Sequence, residues 1–280
     1  MSFPGSELYF DPTLSRAAQL YCRVLGIPIV GLRIRLRRLS KLLPVTAASI
    51  LDAGCGRGVI TRYLAQHYSS AVVEGVDENA PQQALNREIA ASAGLGNCTF
   101  PVADLVTYRK PDAYDLIVSV DNLEHITNDV SVLENFHASL KTGGTLVAHV
   151  PHYYRRWPVF RLTRNFDVPG HVRPGYHLPE LTERVRRAGF HIQHSGFSYG
   201  WLENLINNLS YAITGARERN RMLYAALFPL LNTIAWFGQW GWPRIGAGVW
   251  LVASKSLVAG AAMLRDVAEE EGDDDEEEAE

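Results

Sequence analysis

The segment Ile50-Leu51-Asp52-Ala53-Gly54-Cys55-Gly56-Arg57-Gly58 decides how the rest of this chain is read. Residues 48–51 are short and mostly apolar, and three glycines follow at alternate positions, so they read as the end of a buried strand running into a tight turn. Val59, Ile60, Tyr63 and Leu64 then recur at helical spacing. The unit is strand, glycine loop, helix. Glycine suits the loop because the chain must turn sharply and its backbone must approach a ligand closely, which a Cβ would prevent. Amide groups at the helix start point at that ligand.

The spacing separates two ligand classes. A dinucleotide fingerprint, G-x-G-x-x-G, needs its third glycine at position 59, where this chain has Val59. The pattern present is D-x-G-x-G-x-G, with Asp52, Gly54, Gly56 and Gly58. It resembles the first motif of the class I S-adenosylmethionine-dependent methyltransferases, in which the loop lies against the amino-acid part of the cofactor. Later segments extend the likeness. Residues 71–77 read as a second strand ending in Asp77, and a carboxylate there can accept from both ribose hydroxyls. Glu74 lies inside that strand and is the weaker candidate. A helix from Pro81 to about position 93 and a third strand at 98–102 lead to Ala103-Asp104-Leu105. In the family resembled, an acid here accepts from the adenine amino group between apolar neighbours, which implies Asp104 and Leu105.

Residues 114–126 read as a fourth strand breaking into the loop Asp121-Asn122-Leu123-Glu124-His125. Ligands collect beyond the carboxyl ends of parallel strands, so this loop should face cofactor and substrate, with Asp121 a cofactor-binding candidate. An amphipathic helix carries Leu133 and Phe136, and 141–145 read as a turn into a fifth strand at 146–150. These segments resemble the D-x-I-x(5)-L-E-H-I and L-K-x-G-G-x-L-x(4)-P patterns of small-molecule methyltransferases of quinone biosynthesis. The resemblance covers about 49–150, the helix near 178–190 and the final strand. It implies an α/β, Rossmann-like, mostly parallel seven-stranded sheet with an antiparallel last strand and helices on both faces. Its motifs speak to the cofactor, S-adenosylmethionine, and hardly to the acceptor.

At 280 residues and 47% apolar, the chain can bury a full core in one decorated α/β domain. Cys22, Cys55 and Cys98 form no close pair, so no disulfide framework is expected, a reducing cytoplasm fits, and residues 1–12 show no signal-peptide pattern. The net charge of −3 hides two regions: 265–280 hold eleven acids and one arginine, while the remainder holds 26 basic and 19 acidic residues. The expected organisation is basic amphipathic helices in 1–45, the methyltransferase domain in 46–265 with lid insertions near 151–176 and 199–243, and a disordered acidic tail in 266–280.

No acid lies between Pro12 and Leu51, whereas Arg16, Arg23, Arg33, Arg35, Arg37, Arg38 and Lys41 do. The second helix there places Ile29, Leu32, Leu36, Leu39 and Leu43 along one face. Two uses remain open: packing over the cofactor pocket, or peripheral contact with an anionic membrane. Residues 222–243 carry no charge and are rich in leucine and tryptophan. They admit a membrane span, an interfacial helix or substrate tunnel, or a core helix.

Methyl transfer from a sulfonium is a direct displacement in which proximity and alignment do most of the work. A hydroxyl acceptor also wants a base, which makes His125 the first candidate and His152 the second. The segments around His152-Tyr153-Tyr154-Arg155-Arg156-Trp157 and 167–177 should form a substrate lid. Their histidines match no zinc spacing and no acids cluster with them in sequence; Asp121 and Asn122 lack a third partner for magnesium, so no metal is expected. The acceptor expected is a small, lipophilic molecule. Two alternatives stand beside it: a membrane-peripheral non-catalytic scaffold, and a nucleic-acid methyltransferase. The chain lacks the N/D-P-P-Y/F segment of many of the latter, so nucleic acid is not an expected partner.

Overall fold

The structure, a computed structural model, describes residues 3–154, 170–214 and 220–256. The lid residues Arg155, Arg156, Trp157 and Asp167 and the acidic tail lie outside the described residues. Seven strands form one sheet in the order β3-β2-β1-β4-β5-β7-β6. They are β1 (Ser49–Ala53), β2 (Val72–Val76), β3 (Cys98–Thr99), β4 (Tyr114–Val120), β5 (Leu140–Pro151), β6 (His191–Ser198) and β7 (Gly248–Ser254). Only β7 runs antiparallel to its neighbours, inserted between β5 and β6. The Rossmann-like sheet with an antiparallel last strand is therefore present as the glycine motif implied.

Alternation along the strands builds two cores. Ile50, Val73, Leu116, Val118, Val147, Trp250 and Val252 face α2 (Val30–Leu39), α3 (Val59–His67) and α4 (Ala80–Ser92). Leu51, Ala53, Ile117, Leu146, Ala148 and Leu251 face α5 (Asp129–Ser139) and α6 (Leu178–Arg187). A third cluster joins Val30 and Ile34 of α2 to α7 (Trp201–Thr214) and α8 (Arg221–Phe237) through Ile206, Phe228, Leu231 and Ala235. Helix α1 (Arg16–Leu25) precedes α2 and starts at Ser15, whose hydroxyl accepts the Ala18 amide.

Three expectations need correction. The third strand is two residues long, because Pro101 has no N–H for a ladder; pairing resumes only at the Asp77–Val102 bridge. The sequence 141–145 is not a turn before β5 but an irregularity inside it, where the register passes from Tyr114–Leu140 to Leu116–Thr145. Gly143 holds a φ of +79° there and donates to the Lys255 carbonyl.

The third concerns the basic helix. Its leucine stripe packs on the sheet, but the arginines of α2 turn inward instead of forming a free basic face. Arg33 donates to the carbonyls of Pro4 and Leu25, Arg35 pairs with Asp121, Arg37 donates to Asn232 at 2.9 Å, and Arg38 pairs with Glu203 at 2.7 Å. Helix α2 is thus clamped between the sheet and α7–α8. Among the described residues, Arg16–Leu39 is long and apolar enough to cross a membrane, but 26–29 break it into two helices. Helix α8 has 17 residues and a proline inside, short of the about 20 that a span needs.

Candidate active site

The glycine loop hangs from the tip of β2: the amides of Gly54 and Cys55 both donate to the Val76 carbonyl, at 2.9 and 3.0 Å. Gly54, Gly56 and Gly58 all have positive φ, at +76°, +48° and +66°. Their surroundings differ. A Cβ on Gly54 would lie 2.2 Å from the Asn122 side chain, and one on Gly58 would press on Arg62, Phe100 and Asn86. A Cβ on Gly56 would meet no atom within 4 Å. The loop is therefore packed at both ends and open at its centre, the shape of a backbone cradle for a ligand.

Buried polar groups hold that cradle from below. Asp52 is 1% exposed and accepts the Thr61 hydroxyl at 2.6 Å. Burial pushes its carboxyl up to about 7 against the opposing Thr61 bonds. It frames the loop and is not open to a ligand, which corrects its assignment to cofactor contact. Asn86 donates to the Gly56 carbonyl at 2.8 Å, and Gln83 to those of Gly75 and Pro101 at 2.7 Å. Arg62 donates to the Arg57 carbonyl and pairs with Glu7 at 3.0 Å, fastening the N-terminal segment beside the loop. Burial pushes the Cys55 thiol up, so it is no nucleophile.

Asp77 stands at the tip of β2 and accepts the Gly56 amide at 2.9 Å and the Asn79 amide at 3.0 Å. A carboxylate offers about four acceptor positions, so two amides leave it capacity for a ligand. The amide of Ala103 donates to the Asp77 carbonyl at 3.2 Å, which brings 103–105 beside this acid. Asp104 is exposed and caps its own turn by accepting the Val106 amide at 2.9 Å, while Leu105 is 5% exposed, within the core. Glu74 is tied to Tyr108, Lys110 and Tyr114 and takes no part in the loop.

The loop after β4 closes the other side. Asp121 has a φ of +49°, donates its amide to the His149 carbonyl at 2.8 Å, and spends its carboxylate on Arg35 and on His149 Nδ1 at 3.0 Å. Burial opposes the charge of Arg35, yet Asp121 more than reverses it, so the guanidinium holds its proton more tightly than usual. Behind them, His149 Nε2 meets the Ser198 hydroxyl at 2.7 Å. Gly248 makes room, since a Cβ there would stand 2.3 Å from the Ser198 oxygen. Asp121 is thus the hub of an Arg35–Asp121–His149–Ser198 chain. Arg35, His149 and Ser198 are absent from the reading of the sequence, for no local pattern joins residues so far apart.

His125 is exposed, and its Nδ1 donates to the Gly170 carbonyl at 3.0 Å. It stacks edge-on with His171 at 4.5 Å. Glu124 is 1% exposed and lies 3.9 Å from His171 Nε2. Ligand atoms of Glu124, His125 and His171 all fall within 4.8 Å of one another. The expectation that no acid clusters with the lid histidines is therefore corrected, since one does, across 46 positions of sequence that a spacing rule cannot bridge. His152 is 6% exposed and packs against Phe197, Tyr154 and His177, with ring centroids 5.4–5.9 Å away. Tyr153 stacks on His177 at 4.6 Å. The two base candidates thus sit in separate imidazole clusters.

Residues 50–144 match the family described as methyltransferase domain. Over 105 residues the chain is 34% identical to an (S)-coclaurine N-methyltransferase of Thalictrum flavum subsp. glaucum, covering 37% of this chain and 29% of that one. Over 131 residues it is 34% identical to a trans-aconitate 2-methyltransferase of Streptomyces avermitilis, covering 46% and 44%. The chain spans less than half the length of these relatives. A Haemonchus contortus phosphoethanolamine N-methyltransferase 2, solved in complex with S-adenosyl-L-methionine, superposes with a TM-score of 0.59 at 18% identity, over 90% of this chain and 60% of that one. That likeness concerns the fold. By its glycine motif, sheet order and domain match, the chain is a member of the class I S-adenosylmethionine-dependent methyltransferases.

Proposed function

We propose that this chain transfers a methyl group from S-adenosylmethionine to a small, lipophilic acceptor. One observation carries the reading: the glycine loop is filled at Gly54 and Gly58, is open at Gly56, and has Asp77 bonded to the Gly56 amide. The methionyl part of the cofactor would lie along Gly56, and Asp77 would receive the ribose hydroxyls. Asp104 would face the adenine amino group, with Ala103 and Leu105 against the ring. Asp121 would hold the acceptor side in shape through Arg35 and His149. His125 and His152 are the candidate bases.

In the reaction the acceptor's lone pair forms a bond to the methyl carbon as the carbon–sulfur bond breaks. The bonding electrons stay on sulfur, which becomes a neutral thioether. The residues above supply position and orientation, the effects that matter most in such a displacement.

Exposed apolar side chains on and after α8 support a lipophilic acceptor and peripheral membrane contact: Leu230 at 58%, Phe237 at 49% and Trp240 at 67% exposed. Calorimetric titration with S-adenosylmethionine and its demethylated product tests the first half, and a folded sample that binds neither at millimolar concentration overturns it. Mass spectrometry of lipid extracts from cells with and without the gene, searching for species one methyl lighter, tests the second. Partition into anionic vesicles against retention on RNA or DNA at matched salt separates a lipid partner from nucleic acid.

A further inference from the structure

We infer that Glu124, His125 and His171 form a site for one divalent transition cation beside the acceptor. Two imidazoles and one carboxylate are a borderline donor set, which suits manganese, iron, cobalt or zinc better than calcium or magnesium. Three protein ligands leave positions open for water or a substrate oxygen, the arrangement of a catalytic and not a structural centre.

The surrounding structure is built to bring these three together. Glu124 and His125 occupy a single 3₁₀ turn, Leu123–His125, just beyond β4. His171 comes from the far segment, and that segment is fastened to the turn on both sides of it. The Val172 amide donates to the Glu124 carbonyl at 3.0 Å, and Gly170 accepts from His125. Arg173 pairs with Asp129 at 2.7 Å and donates to the carbonyls of Ile126 and Thr127. The Tyr176 hydroxyl reaches Asp129 at 2.6 Å and the Leu123 carbonyl at 3.1 Å. Asp129, 2% exposed, is the common anchor.

The tautomer also fits. A carbonyl oxygen can only accept, so His125 Nδ1 carries the proton in its bond to Gly170. Its Nε2 therefore presents a lone pair, oriented by a carbonyl behind the ring, as metal-bound imidazoles are. Bonds of about 2.1 Å from one ion place neighbouring donors about 3–3.4 Å apart. The present spread of up to 4.8 Å must then close by about 1.5 Å, within reach of side-chain rotation by the exposed His125.

The proposed consequence deepens the methyl-transfer reading and rests on it. An acceptor hydroxyl bound to the ion loses its proton to water more readily. The resulting oxygen attacks the methyl carbon, carbon–sulfur cleavage leaves the electron pair on sulfur, and the ether and thioether products are both neutral. A cation would thereby do the work assigned above to His125 as a base.

The test uses the full chain, stripped with a chelator and titrated with Mn²⁺ while free Mn²⁺ is followed by electron paramagnetic resonance. One equivalent is expected, with affinity reduced at least about tenfold by His125→Asn and by His171→Asn. Glu183→Gln, at an exposed position on α6, should change nothing. His125→Asn is also exposed and should fold even if Glu124→Gln does not. No saturable binding up to millimolar Mn²⁺ by folded protein, or binding that His125→Asn leaves intact, overturns the site. S-adenosylmethionine binding to the same samples is measured separately. Its loss with metal binding retained would sink the methyl-transfer reading and leave the cation site standing.

Discussion

The Asp77 carboxylate accepts the amide of Gly56 at 2.9 Å, so the acid at the tip of the second strand and the open glycine of the first are one unit. A ligand seated on Gly56 is therefore within reach of Asp77. Asp77→Asn keeps the size but can accept only one of its two amides well and loses the charge that strengthens such bonds about twofold. We expect cofactor affinity to fall about tenfold or more, with a stability loss near 1 kcal/mol. Calorimetric titration alongside thermal unfolding measures both.

Gly56 and Gly58 should respond differently to alanine. Both have left-handed φ values, +48° and +66°, so each substitution costs about 1–2 kcal/mol in backbone strain. Gly58→Ala also drives a Cβ to 2.8 Å from Arg62 and Phe100, whereas at Gly56 the space is open. Gly56→Ala should fold and bind cofactor poorly, and Gly58→Ala should lose more stability. Urea midpoints for the pair decide this, and equal losses would contradict it.

Arg38 and Glu203 form a buried ion pair, 1% and 0% exposed at the side chains. Arg38 also donates to the carbonyl of Gly238 at 3.0 Å, just past the end of α8, so it ties α2 to both α7 and α8. Removing one partner strands a buried charge, which typically costs about 3–5 kcal/mol. Arg38→Met should unfold at markedly lower urea. A double variant, Arg38→Met with Glu203→Leu, should recover part of the loss.

Asp52 supplies a pH signature. Its folded value of about 7 lies above the about 3.9 of an unfolded aspartate, so between them the native state binds the extra proton. Stability from this group is present at low pH and is lost as pH rises from about 4 to about 7, at up to about 1.4 kcal/mol per unit. Asp52→Asn retains an acceptor for Thr61 and should flatten that slope. Unfolding of both proteins at pH 5 and pH 8 gives the comparison, and a slope unchanged by the substitution would show that the carboxyl is not protonated there.

Much of the site was legible because it is local. The glycine loop, Asp77 and Asp104 each follow a strand within a few residues, and a strand tip is recognisable from periodicity alone. The basic stretch before β1 misled for the opposite reason. Periodicity places the leucines of α2 correctly, but a helix wheel cannot know that Glu203, Asn232 and Asp121 will stand opposite its arginines. Asp52 belongs to the motif yet points under α3, since side chains alternate along a strand and this one falls on the buried side.

The amino-acid order by itself determined the sheet, the loop and the acids at two strand tips, because hydrophobic period and glycine spacing act within a dozen residues. Tertiary structure alone decided what meets at the acceptor side. Ser198 reaches His149 from another strand, and His171 comes to Glu124 only because Arg173 and Tyr176 converge on Asp129. Such pairings follow from how strands and loops are packed in space, and no interval along the chain encodes them.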